Sequence, residues 1–265
     1  MPICTSPFYR GGQFLKGIIS PDETVEDLQL SGLRLIQKKN SFRFGMDSVL
    51  LADFADIRPK DTVADFGTGN GILLFLLYGR NKGIRYYAID IQPEATDLVL
   101  RNARLNGLEE RITAVTADAA DISRYLDACS VDAVICNPPY GRPDASLISP
   151  YKTRAIARSQ EAGTLDHLLS GSFSVLKGKG KLFMVYPAAQ MLFLMKSLQS
   201  RHLEPKRFRL VYPYADKPAN LVLIEAVKDA KPLLHPMPPL IVYEKDGSLT
   251  NELKSVYHIQ EQTGF

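Results

Sequence analysis

A chain of 265 residues, 45% of them hydrophobic, can build one large core with modest additions at each end, and argues against two independent domains. The net charge of +3 is weak and its distribution says more than its total, and no apolar run approaches the ~18 residues that a membrane span needs. Cys4, Cys129 and Cys136 are too few and too far apart for a disulfide framework, and no Cys or His pair has zinc-ligand spacing, so the expectation is a metal-free, soluble, cytoplasmic protein with reduced thiols. His167, His202, His235 and His258 have no partner motif and read as structural or surface residues.

In chain order, Leu33 to Lys38 and Ser41 to Gly45 suggest a small hairpin, with Asp47 as the N-cap of a helix from Ser48 to Ala55. From Thr62 onward, β-branched or aromatic runs alternate with helix-sized stretches, the pattern of a parallel sheet wrapped by helices. The predicted core strands are Thr62 to Phe66, Arg85 to Ile91, Ile112 to Ala117, Val131 to Cys136, Lys181 to Tyr186 and Asn220 to Val227. Helices are predicted from near Gly71, from Pro93 to Leu105 and from Gln190 to His202. Pro93 suits a first helical turn, and Asn106-Gly107 suits a stop. Lys206 to Tyr212 and Asn220 to Val227 follow each other without a helix, which predicts an antiparallel pair ending the sheet. The proline-rich tail from Lys231 ends in a short strand and an amphipathic helix, Thr250 to Gln260. This gives an extension over 1–60, a core over 61–228 and an appendage over 229–265.

Gly67-Thr68-Gly69-Asn70-Gly71 places three alternating glycines where a strand turns into a helix, which lets a ligand approach the backbone. Such a turn alone would suit a nucleotide, a flavin or no ligand. Asp65, just before it, would repel a pyrophosphate and suits the ammonium of an amino-acid moiety. Asp90, nineteen positions after Gly71, can accept ribose hydroxyls, and Asp118 can accept an adenine amino group. Three successive strands thus end in Asp at the edge where open α/β sheets bind ligands. With Ile91, Ala119 and Asn137, this set predicts S-adenosylmethionine as cofactor, with S-adenosylhomocysteine as product.

The fourth strand runs into Cys136-Asn137-Pro138-Pro139-Tyr140, a rigid segment poor in N–H donors and rich in acceptors. That suits an amino nitrogen whose lone pair is delocalised. Asn137 and the Pro138 carbonyl can each accept one N–H, while Tyr140 offers a face for a base, worth ~1–3 kcal/mol. Asn137, Pro138 and Tyr140 are therefore the catalytic candidates. From Arg142 to Arg209, twelve Lys or Arg oppose four carboxylates, a local excess of eight, while the rest of the chain has a deficit of five. Such a segment suits a surface that tracks nucleic-acid phosphates, and a solvated basic face without a ligand would look the same.

The chain resembles the amino-methyltransferases that carry an Asn-Pro-Pro-Tyr motif, over Thr62 to Val227. Within that group it is most similar to the bacterial tRNA1(Val) adenine-37 N6-methyltransferase family, through Phe42-Arg43-Phe44-Gly45-Met46-Asp47-Ser48-Val49-Leu50-Leu51-Ala52, Leu203 to Arg207, Ala219 to Glu225 and Pro238 to Tyr243. The resemblance implies an α/β fold, a three-layer, Rossmann-like class I methyltransferase sheet with a reversed last strand. It also implies methyl transfer to adenine N6 in tRNA; glutamine N5 of a release factor is the alternative substrate of the same motif. Ser159-Gln160 follows Ala157-Arg158 where the family usually carries Ala-Arg-His-Glu. The sequence is compatible with a monomer or a weak homodimer.

Overall fold

The computed structural model of the chain describes residues 18–39, 45–138 and 150–257, with the backbone alone for 150–162. A two-stranded antiparallel ribbon comes first, β1 (Glu23–Asp27) against β2 (Arg34–Lys38). The described partner of 34–38 is the strand before it, while Ser41 to Phe44 of the expected hairpin lies outside the described residues. Gln29, Ser31 and Gly32 all take positive φ in the connection, where Ser31-Gly32 is the one turn dipeptide. Next come α1 (Met46–Phe54), β3 (Thr62–Phe66), α2 (Ile72–Gly79), β4 (Arg85–Asp90), α3 (Pro93–Leu105) and β5 (Ile112–Thr116). A 3-10 turn, Ala119–Arg124, leads to β6 (Val131–Cys136), α4 (Pro150–Val175), β7 (Leu176–Pro187) and α5 (Met191–Ser200). The chain finishes with β8 (Leu203–Tyr212), β9 (Leu221–Lys228), two short strands β10 (His235–Pro236) and β11 (Leu240–Ile241), and α6 (Asn251–Val256).

The main sheet runs β10-β8-β9-β7-β6-β3-β4-β5, with β11 also paired to β8. β3 to β7 are mutually parallel, and β9 lies antiparallel between β7 and β8, as expected of the reversed last strand. Alternation along the strands splits the core into two layers. Val63, Ala133, Ile135, Phe183 and Val185 pack with residues of α1, α2, α3 and α6 on one face. Ala64, Val134, Cys136, Leu182 and Met184 pack with α4 and α5 on the other. No helix among the described residues is long and apolar enough to cross a membrane.

Helix α1 departs from its expected start. Gly45 is the N-cap, without a side-chain hydrogen bond, and Asp47 lies inside the first turn, where its charge still favours the helix dipole. Its other end is clamped. The Lys82 ammonium donates to the carbonyls of Ala52, Asp53 and Ala55 at 2.9, 2.8 and 2.7 Å, and Arg207 Nη2 donates to Phe54 O at 3.1 Å. Two cations thus satisfy the orphan carbonyls of the last turn.

Candidate functional site

Because β3, β4, β5 and β6 are parallel, their carboxyl ends share one edge, and the glycine turn, Asp90, Asp118 and Asn137 all lie there. At that edge the turn after β3 crosses toward β4, with Gly67 N and Thr68 N both donating to Ile89 O at 2.9 and 3.0 Å. Gly67, Gly69 and Gly71 have φ of +75°, +56° and +82°, a region that side chains disfavour. A Cβ added at Gly67 or Gly69 would meet nothing within 4 Å, whereas one at Gly71 would meet Phe75 at 3.0 Å and Val99 at 3.1 Å. The first two glycines therefore face open space, and the third lets α2 and α3 approach.

Asp65 is fully buried beneath this turn. Its Oδ2 accepts the Thr68 hydroxyl at 2.8 Å, and its Oδ1 has no partner among the described residues. Burial pushes the carboxyl up to about 7, aided by the negative charge of Asp90 and opposed by the Thr68 hydrogen bond. An orphaned buried acceptor is costly, about 1–3 kcal/mol, and at a ligand-facing turn it suits a cationic group. Asp90 shapes the loop: Oδ2 accepts Gly69 N and Oδ1 accepts Gln92 N, each at 3.0 Å. Beside it Ile91 stands 65% exposed, an apolar face at the sheet edge. Asp118 lies two residues past β5 and caps the 3-10 turn through Ala120 N at 2.9 Å, and Ala119 is buried behind it. Both Asp118 oxygens also lie 3.1 Å from His167 Nδ1 on α4. His167 therefore has a partner that its sequence neighbours do not reveal.

Asn137 and Pro138 follow β6 directly; Pro139, Tyr140 and Phe42 to Phe44 lie outside the described residues. Asn137 Nδ2 donates to the Ser48 hydroxyl on α1 at 3.1 Å. Ser48 was missed in the sequence reading, and so was Asn102. Asn102 is fully buried on α3 and pairs with both Ile36 N (2.6 Å) and Ile36 O (3.1 Å), while also donating to Asn70 O in the glycine turn at 3.0 Å. One helical turn later, Asn106 binds Arg34 N and O in the same way. Two amides spaced i, i+4 thus dock the free edge of β2, and the first ties it to the glycine turn.

In the basic segment, Arg142 and the side chains of Lys152, Arg154 and Arg158 lie outside the described residues. Lys177 pairs with Asp132, Lys181 with Asp56, Arg201 with Asp166, Arg207 with Glu225 and Arg209 with Glu252. Lys179 and Lys206 donate to the carbonyls of Asp229 and Lys231. Asp132 also holds Thr62 N at the start of β3, so the Lys177 pair lies at the edge opposite the glycines. Five of the eight described cations of the segment thus face carboxylates. A linear count cannot show this.

A family model for the methyltransferase small domain matches residues 43–200, well over half the chain. The chain belongs to the methyltransferase small domain family. The matched region of this small domain runs from the start of α1 through the end of α5 and so contains the glycine turn, the three carboxylates and Asn137. A protein of Parabacteroides distasonis named tRNA1(Val) (adenine(37)-N6)-methyltransferase is 29% identical over 227 residues, 85% of this chain and 89% of its own length. One of the same name from Aliivibrio salmonicida is 25% identical over 212 residues, 80% of this chain and 88% of its own. Among solved structures, a protein of Agrobacterium tumefaciens described as a predicted O-methyltransferase superposes with a TM-score of 0.65 at 21% identity, covering 80% of this chain and 96% of that one. At that identity the likeness carries the fold: the class I methyltransferase sheet. TYW2 of M. jannaschii, solved in complex with AdoMet, shares it with a TM-score of 0.53 at 18% identity, over 78% of this chain and 86% of that one.

Proposed function

We propose that the chain transfers a methyl group from S-adenosylmethionine to N6 of an adenine in tRNA, releasing S-adenosylhomocysteine. The observation that carries this reading is Asn137-Pro138 at the end of β6, on the sheet edge where the glycine turn opens over the orphaned Asp65 carboxylate. The names of the relatives at 25% and 29% identity support the substrate.

The residues present fit the cofactor. Asp65 supplies an unpaired buried acceptor for an ammonium, and Gly67 and Gly69 leave the backbone open. We assign Asp90 to the ribose, Ile91 to the adenine face, and Asp118 with Ala119 to the adenine edge. When bound, S-adenosylmethionine supplies an electrophilic methyl on a sulfonium. The chain's own task is to make a poor nucleophile attack it. Asn137 Oδ1 and the Pro138 carbonyl each accept one N–H of the exocyclic amine, drawing the nitrogen toward tetrahedral geometry and freeing its lone pair. Tyr140, the aromatic of the motif, is assigned to stacking on a base turned out of the anticodon loop. The proton leaves after transfer, so a strong general base is not required.

The test is incubation with labelled S-adenosylmethionine and either tRNA lacking the modification or an unmethylated release factor. Label in tRNA supports the reading. Label in the protein substrate alone would replace adenine by glutamine.

A further inference from the structure

We infer that Ser48 is a positioning residue for methyl transfer, fixing the Asn137 carboxamide at the end of β6 so that it already stands in place when the amine arrives. This rests on the reading of Asn137 as an acceptor for the substrate nitrogen. A carboxamide is nearly symmetric in shape but not in chemistry: one arm accepts and the other donates. Its terminal torsion is broad and roughly two-fold, so the side chain itself sets little preference between the two orientations. A bond to neighbouring structure narrows the range over which the amide can turn.

The Ser48 hydroxyl is placed to do so. Its Oγ accepts from Asn137 Nδ2 at 3.1 Å, and Ser48 itself is buried, 3% exposed. The helix that carries it is fixed at both levels of structure. Ser48 to Ala52 are all buried, which leaves α1 no solvent face along that stretch, and its last turn is clamped by Lys82 and Arg207. The Arg207 guanidinium also lies over the Phe54 ring at 4.6 Å, and Phe54 meets Phe183 of β7 edge-on at 6.4 Å. A side chain on so constrained a helix can hold its partner within the tolerance that attack geometry demands. The residues flanking Asn137 on the other side do the same for the backbone: Pro138 restricts it directly after β6.

The experiment compares wild type, Ser48→Ala and Ser48→Thr in steady-state transfer to tRNA, with calorimetric binding of S-adenosylmethionine and thermal melting in parallel. Removing one buried neutral hydrogen bond should lower kcat about threefold to tenfold in Ser48→Ala. The cofactor Kd should stay within about twofold and the melting temperature within about 3 °C of wild type, because serine to alanine removes one atom and no packing volume of consequence. Ser48→Thr, which keeps the hydroxyl, should recover most of the turnover. A merely structural role predicts instead that cofactor affinity and melting temperature fall together with kcat, and that result would overturn the inference. So would an unchanged kcat in Ser48→Ala, or equal losses in the two variants. If wild type itself fails to methylate tRNA, the proposed function falls, and this outcome is read from the wild-type arm alone.

Discussion

Replacing Asp65 by Asn should make the ligand-free protein more stable while removing most of its affinity for S-adenosylmethionine. In the fold, the carboxyl is buried with one oxygen unpaired and is raised from 3.8 to about 7. A raised carboxyl binds its proton more tightly folded than unfolded, so stability is present at low pH and is lost as pH rises from about 4 to about 7. Three units at about 1.4 kcal/mol each set an upper limit of about 4 kcal/mol. The amide brings an NH2 group without a ready partner, which takes back about 1–3 kcal/mol. The net gain at pH 8 is about 1–3 kcal/mol, a rise of roughly 3–10 °C for a chain of this size. At pH 5 the wild-type residue is already protonated in the fold, so the gain should shrink by more than about 2 kcal/mol. Thermal melts of both proteins at pH 5 and pH 8, with calorimetric titration of the cofactor, make the comparison. A lower melting temperature for Asp65→Asn at pH 8, or a gain that does not change with pH, would contradict strain at Asp65.

The same carboxyl predicts that cofactor affinity in the wild type weakens roughly eightfold from pH 7.5 to pH 6, because an ammonium partner needs the ionised form; calorimetry at the two pH values checks this, and Asp65→Asn should flatten the response. Asn137→Ala should abolish detectable transfer while the cofactor Kd stays within about tenfold, measured by single-turnover labelling alongside titration. Asn102→Ala should cost about 2–4 kcal/mol, since it orphans both Ile36 backbone groups and Asn70 O, and should weaken cofactor binding as well; chemical denaturation and titration separate the two effects. Affinity for tRNA should fall steeply with salt if phosphates are contacted, and filter binding between 50 and 200 mM salt would reveal a flat response that contradicts it.

Local signals carried the parts of the fold that depend on local chemistry. Helix α3 runs over the expected Pro93–Leu105 because Pro93 sits in its first turn and Asn106-Gly107 ends it. Strands β3 and β6 likewise match the predicted runs, since each sets β-branched residues among small or apolar ones and ends at a glycine turn or at Asn-Pro. The antiparallel β8–β9 pair was legible from the missing helix between them. The ribbon partner was not, because Glu23, Glu26 and Asp27 are acidic and only Thr24 and Val25 between them are strand formers. That the glycine turn, Asp90, Asp118 and Asn137 share one edge could be read in advance, since each follows a strand end. Ser48, Asn102 and His167 could not, for each acts through a partner at least 49 positions away. A linear charge count is blind to tertiary pairing for the same reason: five of the eight described cations between Lys177 and Arg209 face carboxylates.

The most direct test of the proposed activity is nucleoside analysis by mass spectrometry of tRNA from cells lacking this protein, before and after treatment with the purified enzyme and S-adenosylmethionine. The account predicts that N6-methyladenosine is missing from one tRNA species in the deleted strain and is restored in vitro by wild type but not by Asn137→Ala. An unchanged N6-methyladenosine content, or restoration of a different methylated nucleoside, would contradict it.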